Sequence, residues 1–138
     1  MRYYLDTNVL FFILLNNKDE LDNEIIDLVK DYSNLFFIST VAIRELILLY
    51  KKGELKKSKY KTCKDLLIAI EELNYEIIPV SKKHLYAYAE LDPAEDHKDP
   101  NDHVIIAQSI SDKIPIISSD KKFKRYENQG LQLIFNKR

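Results

Sequence analysis

Apolar residues fall along this chain in two kinds of run. Short clusters rich in β-branched and aromatic side chains read as strands: Arg2–Leu5, Leu35–Ile38, Tyr75–Ile78, Pro115–Ser118 and Leu131–Phe135. Longer stretches between them have helical spacing or are apolar on most sides: Asn8–Leu15, Asn23–Tyr32, Val41–Tyr50, Ser58–Leu73, Ser81 to about Glu90, Asn101–Ser111 and the short Asp120–Tyr126. Local punctuation agrees with these boundaries. Ser39-Thr40 offers a capping pair, Gly53 separates two helices, Pro79 stops a strand and Ser81 caps the helix after it. Residues 92–100, which hold two prolines, read as a loop. Strands separated by helices predict a central, mainly parallel sheet of about five strands with helices on both faces, a three-layer α/β/α sandwich.

Length and composition narrow the picture. The chain has 138 residues, 46% of them hydrophobic, which predicts one domain over 1–138 with a core of its own. A single cysteine, Cys63, excludes an intrachain disulfide and a cysteine-based zinc cluster. The two glycines, Gly53 and Gly130, are too far apart for a Gly-rich dinucleotide turn or a phosphate-binding P-loop. The longest apolar run, Val9–Leu15, is far shorter than the roughly 20 residues of a membrane span. Asp6 before it and Asn16-Asn17-Lys18-Asp19 after it do not suit a signal peptide, so a cytoplasmic protein with no membrane association is expected.

The net charge is −1, but the charges are unevenly distributed. Residues 51–64 carry seven lysines against Glu54, and residues 121–138 carry six bases against Glu127. Residues 90–102 carry six acids against Lys98. Solvated helix faces account for any one cluster. Basic flanks around an acidic centre also suit a protein that holds a phosphate backbone beside a cation.

In open α/β sheets, ligands collect outside the carboxyl ends of the strands. Asp6 directly follows the first strand, and Asp120 follows the fourth. Each also suits a helix N-cap. Glu45 has Val41, Ala42, Leu48 and Leu49 as its helical neighbours and so sits on an apolar face. An unpaired carboxylate there is costly, so it is protonated, paired with a Lys or Arg, or holding a cation. Asp102 has Ile105 and Ile106 at the same spacing, although Asp99, Pro100 and Asp102 also make a good helix start. His97 and His103 are expected to face solvent. Four carboxylates from four distant segments cannot share a pocket uncompensated, and a hard divalent cation resolves the conflict. Oxygen ligands without His or Cys select Mg²⁺ or Mn²⁺, which suits hydrolysis of a nucleic-acid backbone.

Four blocks carry a family resemblance: Leu5-Asp6-Thr7-Asn8-Val9-Leu10, Ser39-Thr40-Val41-Ala42-Ile43-Arg44-Glu45-Leu46, Asp99-Pro100-Asn101-Asp102-His103-Val104-Ile105-Ile106-Ala107-Gln108 and Pro115-Ile116-Ile117-Ser118-Ser119-Asp120. In order and spacing the sequence resembles the PIN-domain ribonucleases, especially the VapC-type toxins of bacterial toxin–antitoxin pairs, over nearly its whole length. The resemblance implies Asp6, Glu45, Asp102 and Asp120 as the acidic catalytic set that binds Mg²⁺ or Mn²⁺. It also implies Thr7, Asn8 and Ser118 as polar supporters and Asp99 as an outer acid. The family often has an aromatic and an arginine where Asn101 and His103 stand here. The activity implied is metal-dependent endonucleolytic cleavage of single-stranded or structured RNA.

Lys51, Lys52, Lys56 and Lys57, with the basic C-terminal segment, are candidates for RNA backbone contacts. Tyr60 and Tyr126 lie beside these bases, where they would stack on bases, be packed in the core or simply be exposed. A toxin implies a neutralising antitoxin. The apolar Val9–Leu15 region is a candidate surface for that partner or for a homodimer, or else is buried on the sheet. Two other readings compete: a catalytically idle RNA- or partner-binding module, and a Mg²⁺-dependent phosphatase. The phosphatase would want a second aspartate where Asn8 stands.

Overall fold

A computed structural model describes residues 1–55 and 59–138. Strand β1 (Arg2–Leu5) leads into α1 (Thr7–Leu14), a 3-10 turn (Lys18–Glu20) and α2 (Asn23–Lys30). Then follow β2 (Leu35–Ser39), α3 (Thr40–Lys51), α4 (Cys63–Glu72), β3 (Glu76–Ile78), α5 (Lys82–Glu90) and α6 (Pro100–Asp112). After these come β4 (Ile116–Ser118), a 3-10 segment (Lys121–Gln129) and β5 (Leu133–Phe135). The five strands form one sheet in the order β3-β2-β1-β4-β5, and every pairing is parallel.

A parallel pairing needs a crossover after each strand, and the crossover helices cover the sheet. Tyr3, Tyr4 and Leu5 are consecutive and all buried, as are Phe36 to Ser39 and Ile116 to Ser118. Successive strand residues point to opposite faces, so both faces are covered and the architecture is the expected α/β/α sandwich. Helix α6 packs against α3 and α5 and buries Ile105, Ile106 and Ala107. Full burial of each isoleucine contributes about 1.5–3 kcal/mol relative to exposure.

The strand order places the site. From β1 the chain moves outward through β2 and β3, then returns to β4 on the other side of β1. The carboxyl ends of β1 and β4 therefore flank the switch point where doubly wound sheets open a crevice. Tyr4 is paired with both Phe37 and Ile116, and Leu5 with Ile117. Both β1 and β2 pass into helices without a linker. Asp6 caps α1 directly after β1, and Ser39, the last residue of β2, caps α3.

Several boundaries differ from the sequence reading. Helix α2 stops at Lys30 rather than Tyr32 because the Asp31 carboxylate accepts the Ser33 N–H at 2.9 Å, turning the chain away from helix. Helix α4 starts at Cys63, where Thr62 caps the Asp65 N–H. Ser58, its expected start, lies outside the described residues. The segment after Asp120 is 3-10 rather than α-helical and runs on to Gln129. Its period of three puts Phe123 and Tyr126 on one buried stripe. No helix among the described residues is long and apolar enough to cross a membrane.

Candidate metal centre

Asp6 stands where β1 becomes α1. Its backbone N–H extends the sheet ladder to Ile117 O at 3.0 Å, while its carbonyl accepts the first helical bond, from Leu10 N–H at 3.0 Å. Its side chain is buried and receives two hydrogen bonds, from Thr7 N–H to Oδ1 at 2.8 Å and from Ser118 Oγ to Oδ2 at 2.7 Å. Burial pushes its pKa up to about 7, helped by the charges of Asp102 and Glu45 and opposed by those two bonds.

Glu45 lies on α3 and is half-buried. Burial raises its carboxyl above the usual range, Asp99 adds to the rise, and the nearby Thr7 hydroxyl draws it down. That hydroxyl is close enough to be felt by Glu45 but is out of hydrogen-bonding geometry. Among the described residues, Thr7 Oγ1 is buried without a hydrogen-bond partner. No ion pair joins Asp6, Glu45 or Asp120 to a Lys or Arg among the described residues.

Asp102 comes from the first turn of α6. Asp99 caps that helix through Asn101 N–H at 2.9 Å, and Pro100 opens it. Oxygens of Glu45, Asp99 and Asp102 lie within 4.8 Å of one another. Burial pushes the Asp102 carboxyl up to about 7, with Asp99, Glu45 and Asp120 adding to the rise and Lys122 opposing it. Asp120 caps the 3-10 segment through Lys122 N–H at 2.9 Å, and its own N–H donates to Ser118 Oγ at 3.1 Å. Ser118 thus links Asp6 to Asp120 through one buried hydroxyl. Asn8 is exposed and lines a cleft with Asp120.

These residues fit a divalent cation. The site gathers oxygen acceptors, lacks a Lys or Arg ion pair at all four of its acids among the described residues, and leaves the Thr7 hydroxyl unsatisfied. Oxygen donors of this kind suit Mg²⁺ or Mn²⁺.

One expectation is corrected, and one open alternative is decided in favour of core packing. His97 and His103 do not face solvent but are 3% and 6% exposed. His97 Nε2 lies 3.0 Å from Asp102 Oδ2, and His103 Nε2 donates to His97 O at 2.7 Å. The two rings pack edge to face with Phe123 and Tyr126 nearby, which together make an aromatic floor. Tyr60 and Tyr126 are buried and so unavailable for stacking on bases. Tyr60 donates its hydroxyl to Leu14 O, while Tyr126 meets His97. Sequence reasoning missed His97 because it sits in a loop with no periodicity. The available signal was Phe123 and Tyr126, three residues apart, which mark a buried 3-10 face.

The basic residues fall in two places. Lys51 and Lys52 are exposed at the end of α3, and Lys51 is about 9 Å along the helix axis from Glu45. Lys56 and Lys57 lie outside the described residues. On the other side, Lys121, Lys122, Lys137 and Arg138 line a cleft of about 500 Å³ together with Asn8 and Asp120.

Residues 3–129 match the model of the PIN domain family. The chain is 28% identical over 137 residues to Ribonuclease VapC2 of Rickettsia felis, covering 96% of this chain and 97% of that protein. Among solved structures, it resembles VapBC2 from Rickettsia felis bound to a DNA fragment from their promoter, with a TM-score of 0.69, 24% identity and 99% of each chain covered. DNA-bound VapBC from Salmonella typhimurium aligns with a TM-score of 0.67, 20% identity and 98% of each chain covered. The structural likenesses establish a shared fold, and the match to the family model spans four of the five strands and all four acid-bearing segments. This chain belongs to the PIN-domain family.

Proposed function

We propose that residues 1–138 form one nuclease domain that cleaves RNA phosphodiesters with Mg²⁺ or Mn²⁺ held by Asp6, Glu45, Asp102 and Asp120. The observation that carries this reading is the meeting of carboxylates from four distant segments at the sheet's switch point, with burial and mutual repulsion raising three of them. A divalent cation bound there supplies Lewis acidity, acidifying water and offsetting charge on the phosphate. The protein's part is to hold the donors. Ser118 and the Thr7 amide fix Asp6, the Lys122 amide turns Asp120, and the cap at Asp99 sets the start of α6. The basic cleft beside Asp120 offers charge for the RNA backbone, and Lys51 and Lys52 would reach RNA only farther from the acids.

The kinship to Ribonuclease VapC2, and the fold shared with VapBC complexes, support a toxin role with an antitoxin partner in the cytoplasm. Val9, Leu10 and Leu14 are buried in the core. What the region leaves open is a groove of about 130 Å³ between α1 and α2, lined by Phe12, Ile13, Ile26 and Val29 with Lys18 and Lys30 among its walls. It fits an apolar antitoxin segment bearing acidic neighbours. A homodimer is the second association we propose, and sedimentation over a concentration series tests it. The test of the enzyme is RNA cleavage with Mg²⁺ or Mn²⁺ against the same preparation in EDTA, with Asp6→Asn as control. Equal cleavage by that variant refutes the site.

A further inference from the structure

Beneath the Asp102 carboxylate runs a buried line of polar atoms that the proposed reaction does not itself require. Ala94 N–H donates to the Tyr126 hydroxyl at 3.1 Å, that hydroxyl lies 2.9 Å from His97 Nδ1, and His97 Nε2 lies 3.0 Å from Asp102 Oδ2. Tyr126 is fully buried and His97 nearly so. Counting donors gives the line its direction. The Tyr126 oxygen already receives Ala94 N–H, so its own proton needs an acceptor. His97 Nδ1 is the acceptor within reach among the described residues, and a buried hydroxyl proton without one is costly. Nδ1 therefore accepts, the ring carries its proton on Nε2, and that proton goes to Asp102. The ring has little freedom to do otherwise. His97 N–H bonds Ala94 O at 3.0 Å, its carbonyl accepts from His103, and the rings of His103 and Phe123 pack against its own, one T-shaped and one tilted.

We infer that His97 is a positioning residue for the cation. By donating Nε2–H to one oxygen of Asp102 it fixes the carboxylate and leaves the other oxygen for the metal, and Tyr126 sets the tautomer this requires. A ligating carboxylate held by a hydrogen-bond partner binds metal more tightly than a free one. A ring nitrogen of His97 also lies within 4.8 Å of oxygens of both Asp102 and Asp120. Both ring nitrogens are already engaged, so the ring acts through Asp102 and not as a ligand. The inference rests on the metal-dependent nuclease reading and deepens it: affinity for the ion is set partly by a loop and a 3-10 segment that never touch it.

The experiment titrates Mn²⁺ alone into the full chain by calorimetry and electron paramagnetic resonance, alongside histidine-ring ¹⁵N spectra of the metal-free protein. His97→Phe keeps an aromatic ring but loses the donor, and it is expected to weaken Mn²⁺ binding about 10- to 100-fold. His97→Gln restores an N–H at comparable reach and is expected to recover most of that loss, whereas the shorter His97→Asn is not. The spectra are expected to show the Nε2–H tautomer at His97 and its loss in Tyr126→Phe. A wild-type chain that takes up no Mn²⁺ overturns the metal reading together with this inference. A wild-type chain that binds, with a folded His97→Phe variant binding equally well, overturns this inference alone. Should His97→Phe fail to fold, equal binding by the Gln and Asn variants overturns it. So does nitrogen hyperfine coupling from His97 to the bound Mn²⁺.

Discussion

Helix α6 carries a carboxylate near each end, and both meet a buried histidine through Nε2. At the last turn, Asp112 receives Lys83 Nζ at 2.8 Å, His84 Nε2 at 2.9 Å and the Tyr4 hydroxyl at 2.5 Å. Burial pushes its carboxyl up, but these donors together hold it below its ordinary value. At the first turn, His97 is the one side-chain donor to Asp102 among the described residues, and Asp102 shares its space with Asp99, Glu45 and Asp120. Burial and those charges lift it to about 7. The helix dipole alone would rank the two the other way, since it favours an anion at the N-terminus. The surroundings therefore decide, not the helix. Asp112 is neutralised within the protein and holds α5, α6 and β1 together. Asp102 sits where burial and neighbouring carboxylates oppose its charge, with too few donors to offset them.

Substitutions should separate the two ends, and the largest effect belongs to the first turn. Asp102→Asn and Asp6→Asn are each expected to cut RNA cleavage and Mn²⁺ uptake by more than about a hundredfold, beyond what loss of a supporting residue costs. Neither should lower the thermal stability of the metal-free chain, because each removes a carboxylate its neighbours repel. The reverse is expected at the last turn. Asp112→Asn, measured by denaturant unfolding, should cost about 2 kcal/mol by removing the charge and turning one of the two acceptor oxygens shared by Lys83, His84 and Tyr4 into a donor, while Mn²⁺ affinity stays at the wild-type value.

Acidity sharpens the same contrast. Without metal, Asp6 and Asp102 hold protons up to about pH 7 that an unfolded chain gives up near pH 4. The folded chain binds more protons across that window, so its melting temperature in EDTA should rise as pH falls from about 8 to 5. Asp112 works oppositely. Its stabilisation is present above the ordinary carboxyl range and is lost below about pH 4. Saturating Mg²⁺ should flatten the slope between pH 5 and 8, because cation and protons compete for the same oxygens. The smallest effect lies with the lysines. Lys121→Ala with Lys137→Ala is expected to lower the salt dependence of single-stranded RNA binding by about 1.4 in log–log slope. Lys51→Ala with Lys52→Ala serves as the distant control and should change it less.

What could be read in the sequence was whatever local chemistry dictates. Asp6 after an apolar strand, Ser39 before a helix and Asp99-Pro100 at a helix start each announce a cap, and each caps its helix in the structure. The parallel sheet followed from strands alternating with helices. The sequence could not show which donors converge from far along the chain. His97 lies 29 residues from Tyr126, Tyr4 lies 108 from Asp112, and neither pair has a period to reveal it. Histidines in a charged loop look like surface residues until Phe123 and Tyr126 fold beneath them. Asn136 was invisible for the same reason. It is wholly buried and bonds Asp22 N–H, Glu20 O and Ser119 Oγ.

The strand order also bears on how the chain is made. Residues up to Ile78 build β1, β2 and β3, and later residues supply β4 and β5. The seam between these halves is the crevice itself, with Asp6 and Glu45 arriving from one half and Asp102 and Asp120 from the other. No nascent or truncated polypeptide ending before Asp120 contains the full set of acids. On the proposed nuclease reading, a chain released before Asp120 therefore carries an incomplete site, and a gene split in the Pro79–Val80 loop is expected to yield two pieces that cleave RNA only on reassembly.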